Sequence, residues 1–262
     1  MKTIKVTVLG NCANQTAENE GVAFLVDTDV KILIDSGPGI VRQILRAERK
    51  FSEIENIIIT HQHGDHIAGF PYLIWNYFYE SLSGISCPET INIYCFEHLQ
   101  KGLLNMFEFC YGSLDKFPFN LNFYNVPDKG TGSFKIGQTN IETIPVDHTV
   151  PTFGLSLTYS GKKFVYSSDT TYCEDLINFS KNSDLLIHEA MVLENMFDLS
   201  RKTKHSTAKD AGKIADLSSS KQLGLVHYFP PLTNKKDDFI NESKSVFNGK
   251  VFIPDELSII EI

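Results

Sequence analysis

The chain has 262 residues, which is long enough to bury most of its apolar surface without covalent cross-links. Hydrophobic residues make up 42% and charged residues 21%, which is typical of a soluble globular protein. The formal net charge of −8 disfavours loose binding to nucleic acid through a basic surface, and no apolar run approaches the ~20 residues that cross a bilayer.

The first predicted elements are strands followed by one helix. Residues 4–8 alternate apolar and polar side chains, the period of a half-buried strand. The apolar runs 22–26 and 31–34, with two aspartates between them, predict a hairpin. Residues 40–50 have helical spacing, and the wholly apolar run 57–59 predicts a strand buried on both faces.

The rest of the chain continues as helices, then strands, then both in alternation. We expect helices at residues 67–79, 98–111, 206–217 and 237–247, the third of them capped by Ser206. We expect strands at residues 91–94, 121–126, 134–136, 141–146, 154–159, 163–167, 185–187, 223–226 and 251–253. This order is typical of α/β proteins in which helices cover the outer faces of mixed sheets. No linker or tandem repeat is visible, so residues 1–262 are predicted to form a single domain.

The cysteines and the first residues bear on the compartment. The five cysteines are odd in number and lack CxxC spacing, which favours reduced thiols in the cytosol. The start of the chain has the pattern of a strand and lacks that of a secretory signal. We therefore expect a cytoplasmic protein that does not associate with membranes.

The strongest functional signal is a cluster of metal-binding residue types directly after the strand at 57–59. It contains His61, His63, Asp65 and His66 within six residues. Side chains two positions apart in an extended segment point the same way, so His61 and His63 can reach one ion together. We expect Gly64 to let the backbone turn, so that Asp65 and His66 face a second ion. Imidazole and carboxylate ligands suit zinc, manganese or iron.

Residues 60–69, which read THxHxDHxxG, resemble the signature of the metallo-β-lactamase superfamily. The resemblance implies a four-layer αβ/βα sandwich with two metal ions. It implies that His61, His63 and His148 hold one ion, that Asp65, His66 and His227 hold the other, and that Asp169 bridges them. By itself, a lone histidine or aspartate at the three later positions would more often be structural. Asp35 resembles the early aspartate of the family, which orients a ligand histidine.

Two further segments resemble the ribonuclease Z branch of that superfamily and its phosphodiesterase relatives. Residues 184–190 are similar to its HEAT motif, and residues 204–208 to its HST motif. This implies hydrolysis of a phosphodiester, in which two metals activate a water molecule that attacks phosphorus. We predict that Asp65 orients that water and accepts its proton. We predict that His205 protonates the leaving oxygen, with Glu189 holding its imidazole.

The chain departs from ribonuclease Z proteins in one respect. Those proteins usually carry a long tRNA-gripping arm between the third ligand histidine and the bridging aspartate, but only twenty residues separate His148 from Asp169. We therefore favour a small substrate, such as a cyclic nucleotide, a cyclic phosphate or a short RNA end, over a large RNA.

The sequence also fits other functions. The alternatives are a tRNA 3′ endonuclease, a lactonase or thioesterase on the same metals, and a metal-stabilised binding protein without activity. The aromatic run 70–79 fits either a base-stacking surface or a helix core or dimer face, and the resemblance favours a homodimer.

Overall fold

The computed structural model of the protein describes residues 2–262, in which fourteen strands form two sheets of seven. The first sheet consists, in spatial order, of β14 (Ile259–Glu261), β1 (Lys5–Gly10), β2 (Ala23–Asp27), β3 (Lys31–Ile34), β4 (Asn56–Ile58), β5 (Thr90–Cys95) and β6 (Asn120–Asn125). The second consists of β13 (Lys250–Phe252), β12 (Gln222–Val226), β11 (Leu185–Glu189), β10 (Lys162–Tyr166), β9 (Thr152–Tyr159), β8 (Thr139–Val146) and β7 (Gly132–Ile136).

Both sheets are mixed in the same way. In the first, β14, β1, β2 and β3 pair antiparallel, whereas β3, β4, β5 and β6 pair parallel. In the second, β7 to β10 pair antiparallel and β10 to β13 pair parallel. Strands in the parallel part of a sheet are covered on both faces, and β4 and β11 are accordingly buried along their whole length.

Eight helices accompany the sheets in the described residues: α1 (Ile40–Arg46), α2 (Gly64–Ile67), α3 (Phe70–Leu82), α4 (Glu97–Tyr111), α5 (Asp175–Phe179), α6 (Phe197–Thr203), α7 (Ala208–Leu217) and α8 (Lys236–Lys244). Helices α1 and α4 pack on the first sheet, with α3 against both of them. Helices α5, α7 and α8 pack on the second sheet. The layers therefore run helix, sheet, sheet, helix, as the resemblance implied. None of these helices is both long and apolar enough to cross a membrane.

The two sheets meet through large apolar side chains on their inner faces. Phe24 of β2 packs edge-on against Tyr166 of β10, with ring centroids 5.1 Å apart, and against Phe164 at 6.4 Å. All three rings are fully buried. Edge-to-face contacts of this kind contribute beyond the apolar area that they bury, so these rings help to fix the spacing of the two sheets.

Two local predictions were wrong in detail. Helix α7 begins at Ala208 rather than at residue 206, and its N-cap is Thr207, which exchanges hydrogen bonds with Asp210 in a capping box. The Ser206 hydroxyl instead donates to the carbonyl of Thr170 at 2.7 Å. Ser206 thus links the loop after β10 to the segment before α7, and both flank the candidate site.

Candidate metal centre

The side chains that the sequence singled out follow the ends of strands. Asp35 follows β3, His61 follows β4, and His148 follows β8. Asp169 follows β10 and His227 follows β12. The apolar strands hold these loops by burial, so the polar residues after them collect at one rim of the two sheets.

The structure brings the predicted ligands together as two groups that share Asp169. One contains His61, His63, His148 and Asp169, and the other contains Asp65, His66, Asp169 and His227. Within each group the candidate ligand atoms lie within 4.8 Å of one another. The division into two groups is the one that the resemblance implied.

Asp169 occupies the middle of the cluster. Its Oδ2 lies 3.1 Å from Nε2 of His227, 3.4 Å from that of His66, 3.5 Å from that of His61 and 3.8 Å from that of His148. The Asp169 side chain is fully buried. A single carboxylate that faces imidazoles from both groups has the position needed to bridge two cations.

Several atoms of the cluster are buried without a hydrogen-bond partner. They are Nε2 of His61, His66 and His227, and both carboxylate oxygens of Asp169. Buried polar atoms normally have partners, because leaving one unsatisfied costs about 1–3 kcal/mol. Imidazole nitrogens and a carboxylate converging on one space are the donor set of zinc and related ions, so the residues present fit two divalent cations.

In two of the ligand rings, His66 and His148, the nitrogen opposite the cluster is held by a hydrogen bond. Nδ1 of His66 donates to Asp35 Oδ2 at 2.8 Å, and Asp35 Oδ1 also accepts the Thr60 N–H at 2.8 Å. Nδ1 of His148 donates to the carbonyl of Lys204 at 2.8 Å. These bonds fix which ring nitrogen faces the cluster. Asp35 therefore lies where it can orient a ligand histidine.

Charges within the cluster perturb the titration of its members. Burial lowers the pKa of the His61 imidazole well below its ordinary value, which keeps that ring neutral. Burial also opposes charge on His66 and His227, but the carboxylates around them, Asp169 foremost, together outweigh it and raise the pKa of both well above the ordinary value. Those two rings in turn hold the pKa of Asp169 well below its usual range, against the effect of burial. Cations entering the site would take the place of these protons.

Glycines near the cluster act differently from what the sequence predicted. Gly64 is the first residue of α2, and a Cβ added there would meet nothing within 4 Å, so the turn does not depend on it. A Cβ at Gly37 would instead lie 1.8 Å from the carbonyl oxygen of Asp65, and one at Gly21 would lie 2.8 Å from it. The first turn of α2, which bears Asp65, therefore packs directly on the backbone of these two residues.

His205 and Glu189 form a hydrogen-bonded pair beside the cluster. Nδ1 of His205 lies 2.8 Å from Oε1 of Glu189, which is fully buried at the end of β11. The Glu189 carboxylate also accepts the N–H groups of Thr170 and Ser206, at 2.7 and 3.1 Å. These bonds fix the carboxylate, and the carboxylate orients the imidazole. The ring centroid of His205 lies 4.9 Å from that of His227.

The cluster opens into a cavity of about 330 Å³. Its wall includes residues that the sequence analysis missed, namely Ala13, Asn14, Met191, Phe229 and Pro230. Phe229 and Pro230 follow His227 closely, and that nearness was the only signal in the sequence that could have found them. Of the remaining histidines, His98 is exposed on α4, and buried His188 donates from Nδ1 to the carbonyl of Glu189.

Comparisons with known proteins found a matching family model and similar structures. A family model described as "Beta-lactamase superfamily domain" matches residues 30–228. The chain is 27% identical to a ribonuclease Z of Prochlorococcus marinus (strain NATL1A), in an alignment covering 98% of each chain. It is similar in structure to the metallo-beta-lactamase fold protein YhfI of Bacillus subtilis, with a TM-score of 0.86, 23% identity and coverage of 99% and 100%. It is also similar to the short form of human tRNase Z, with a TM-score of 0.76, 23% identity and 98% coverage of each chain.

Proposed function

The chain belongs to the beta-lactamase superfamily, and from that premise we propose that it is a metal-dependent hydrolase that cleaves small phosphodiesters. The observation that carries the proposal is the position of Asp169 Oδ2, within 3.8 Å of four imidazole nitrogens from both ligand groups. A carboxylate that only formed a structural ion pair would not need four imidazole nitrogens around one of its oxygens.

The ligand set proposed for the cations follows the two groups. His61, His63 and His148 would hold one ion, Asp65, His66 and His227 the other, with Asp169 between them. When bound, zinc, manganese or iron would polarise the phosphoryl group and lower the pKa of a water molecule.

Asp65 is proposed to orient the attacking water and to accept its proton. Its side chain is 20% exposed and lines the cavity, and its Oδ2 lies 3.5 Å from Nε2 of His227. Burial works against its charge, but the His227 and His66 imidazoles together outweigh burial and lower the pKa of Asp65. The carboxylate is therefore anionic near neutral pH and is available as a proton acceptor.

His205 is proposed to donate a proton to the leaving oxygen. Glu189 holds Nδ1 of the ring, which leaves Nε2 as the nitrogen that can meet a substrate in the cavity. A histidine can give up a proton near neutral pH, and protonation keeps the leaving group from departing as a free alkoxide.

The proposal that the substrate is small depends on the segment between His148 and Asp169. In residues 149–168, β9 and β10 are joined only by Ser160 and Gly161, both with positive φ (51° and 80°), as in the tightest class of hairpin. This segment has no room for an arm that grips a large RNA. Together with the net charge of −8, it favours a cyclic nucleotide, a cyclic phosphate or a short RNA end.

A tRNA 3′ endonuclease is the second candidate, favoured by the full-length similarity to a ribonuclease Z. The test is a panel of bis(4-nitrophenyl) phosphate, a 2′,3′-cyclic nucleotide, a precursor tRNA, a lactone and a thioester, each with and without a chelator. We expect chelator-sensitive hydrolysis of the two small phosphodiesters. Turnover of the acyl substrates alone would contradict the proposal, and cleavage of the precursor tRNA alone would favour the second candidate.

We also propose that the protein is a cytoplasmic homodimer. All five cysteines are free, which suits a reducing compartment.

The support for a dimer is that aromatic side chains of α3 and α4 are exposed, with Tyr79 61% and Phe109 92% accessible. Analytical ultracentrifugation should show a dimer that Phe109→Glu dissociates. The control Leu217→Glu, at an equally apolar exposed position on α7, should leave it intact. A wild-type monomer would contradict this proposal.

A further inference from the structure

Lys204, the residue between α6 and α7, has an unusual backbone conformation. It ends α6 with φ 54° and ψ 53°, the left-handed region that lysine rarely adopts. Its N–H donates back into the last turn of α6, to the carbonyls of Arg201 and Ser200. Asp35 and His227 of the metal centre, and Ser168 next to Asp169, also have positive φ. Strained backbone of this kind persists where the surrounding structure fixes it, and it clusters at functional sites.

The left-handed turn directs the carbonyl of Lys204 at a candidate ligand. That oxygen accepts Nδ1 of His148 at 2.8 Å. The opposite nitrogen of the ring, Nε2, then lies 3.8 Å from Asp169 Oδ2 and 3.1 Å from Nδ1 of His63. The main chain of Lys204 thus sets both the tautomer and the direction of this ring.

The same peptide unit carries the proposed proton donor, His205. The N–H of His205 donates to the carbonyl of Ser200 at 2.8 Å, and its Nδ1 lies 2.8 Å from Glu189. The peptide plane between Lys204 and His205 is therefore held at its carbonyl and at its N–H. The ring centroids of His148 and His205 lie 4.8 Å apart.

The lysine side chain makes a weaker connection to the same loop. Its Nζ lies 2.8 Å from Oδ1 of Asp147, but the two side chains are 44% and 58% exposed. Exposed ion pairs contribute little, so the main chain should matter more than the charge.

We propose that Lys204 is a positioning residue. Its left-handed backbone holds the His148 ring toward the metal cluster and fixes the peptide that carries His205. It acts through these two histidines and does not touch the substrate. The part that concerns His205 rests on the proposed function. The part that concerns His148 needs only that the cluster binds a cation.

The test is a graded series of substitutions at a matched pair of positions. Glycine adopts positive φ freely, alanine with more strain, and a β-branched residue with most. We therefore compare Lys204→Gly, Lys204→Ala and Lys204→Val with the same three changes at Glu48. Glu48 is exposed after α1, has φ 55°, and lies outside the metal centre.

The first readout is zinc affinity by chelator competition. Lys204→Val should weaken it by ~10–100-fold, the usual effect of losing a bond that orients a ligand histidine. Lys204→Ala should have a smaller effect, and Lys204→Gly should stay within about five-fold of wild type, the range of an exposed ion pair. The Glu48 series should leave zinc affinity unchanged. If Lys204→Val does not fold, the alanine variant still carries the test.

The second readout is the Nδ1 proton of His148 in the zinc-bound protein, seen by NMR and assigned by its loss in His148→Ala. It should be protected from exchange in wild type and in Lys204→Gly, and exposed in Lys204→Val.

Two results would overturn the proposal. One is equal zinc affinity and equal protection in Lys204→Val and Glu48→Val, and the other is an equal loss of zinc affinity in Lys204→Gly and Lys204→Val. Reduced zinc affinity in a protein without phosphodiesterase activity would support the role of Lys204 at His148 and reject the proposed function.

Discussion

Replacing His205 by alanine should separate the protonation of the leaving group from the rest of the reaction. The substitution removes an imidazole whose side chain is 12% exposed and lines the cavity. It leaves the two proposed ligand groups intact, since neither contains His205. It also leaves Glu189 with the N–H groups of Thr170 and Ser206 as partners, so the fold should survive.

The size of the effect should depend on the leaving group. A general acid contributes ~10²–10⁴-fold when the departing oxygen is a strong base. An alkoxide is such a base, so His205→Ala should lose that factor in kcat on a nucleoside 2′,3′-cyclic phosphate. A 4-nitrophenolate leaves without a proton, so kcat on bis(4-nitrophenyl) phosphate should fall by about ten-fold or less.

The assay is steady-state hydrolysis of both substrates by wild type and by the variant, with metal content matched. His98→Ala serves as the control, because His98 is an exposed imidazole on α4 outside the cluster and should leave both rates unchanged. Equal losses on the two substrates would refute the assignment of His205 as proton donor.

Three substitutions near the cluster, and one at Asp184 just before β11, test other parts of the structure. Gly37→Ala should weaken metal binding or lower the free energy of unfolding by about 1–3 kcal/mol, because its Cβ would overlap the Asp65 carbonyl. Gly64→Ala, which meets open space, should be tolerated. Asp35→Ala should weaken zinc affinity by ~10–100-fold in chelator competition, since it leaves Nδ1 of His66 without its acceptor. Asp184→Asn should lose about 1–2 kcal/mol in urea unfolding at pH 7, because Asp184 accepts from the Lys221 ammonium at 2.7 Å and from a backbone N–H.

The sign of the pH dependence at Asp184 follows from its environment. Burial raises its pKa, but the hydrogen bonds from Lys221 and from the Lys163 backbone, with the charges of Lys221 and Lys162, outweigh burial and lower the pKa from its ordinary value. A carboxyl with a depressed folded-state pKa stabilises the fold above its unfolded pKa, and this stabilisation is lost as the pH falls through the folded pKa. The difference between wild type and Asp184→Asn should therefore shrink below about pH 4. A difference that stays constant down to pH 3 would disprove this reasoning, and equal tolerance of alanine at positions 37 and 64 would disprove the packing argument.

The layers of the fold and the grouping of the polar residues could be predicted from the sequence. The run 57–59, most of which lies in β4, is wholly apolar, and the spacing of His61, His63, Asp65 and His66 is a local pattern. The short helices α5 and α6 were missed, because elements of five to seven residues depend on tertiary contacts more than on their own periodicity.

Parts of the site that depend on the main chain could not be predicted. The carbonyl of Lys204 on His148 has no residue-type signature, since every residue carries a carbonyl. The close packing of Gly37 on Asp65 joins segments that are distant in sequence. Gly64 lies within the motif, and the prediction that it lets the backbone turn is the one that the structure corrects. Side-chain chemistry was thus more predictable than backbone geometry.

The proposed two-cation site is tested most directly by anomalous diffraction at the zinc edge from crystals of the zinc-loaded protein. The account predicts two peaks about 3.5–4 Å apart. One should lie within bonding distance of His61, His63 and His148, the other of Asp65, His66 and His227, with Asp169 reaching both. A single peak, or peaks bound by other residues, would contradict the account.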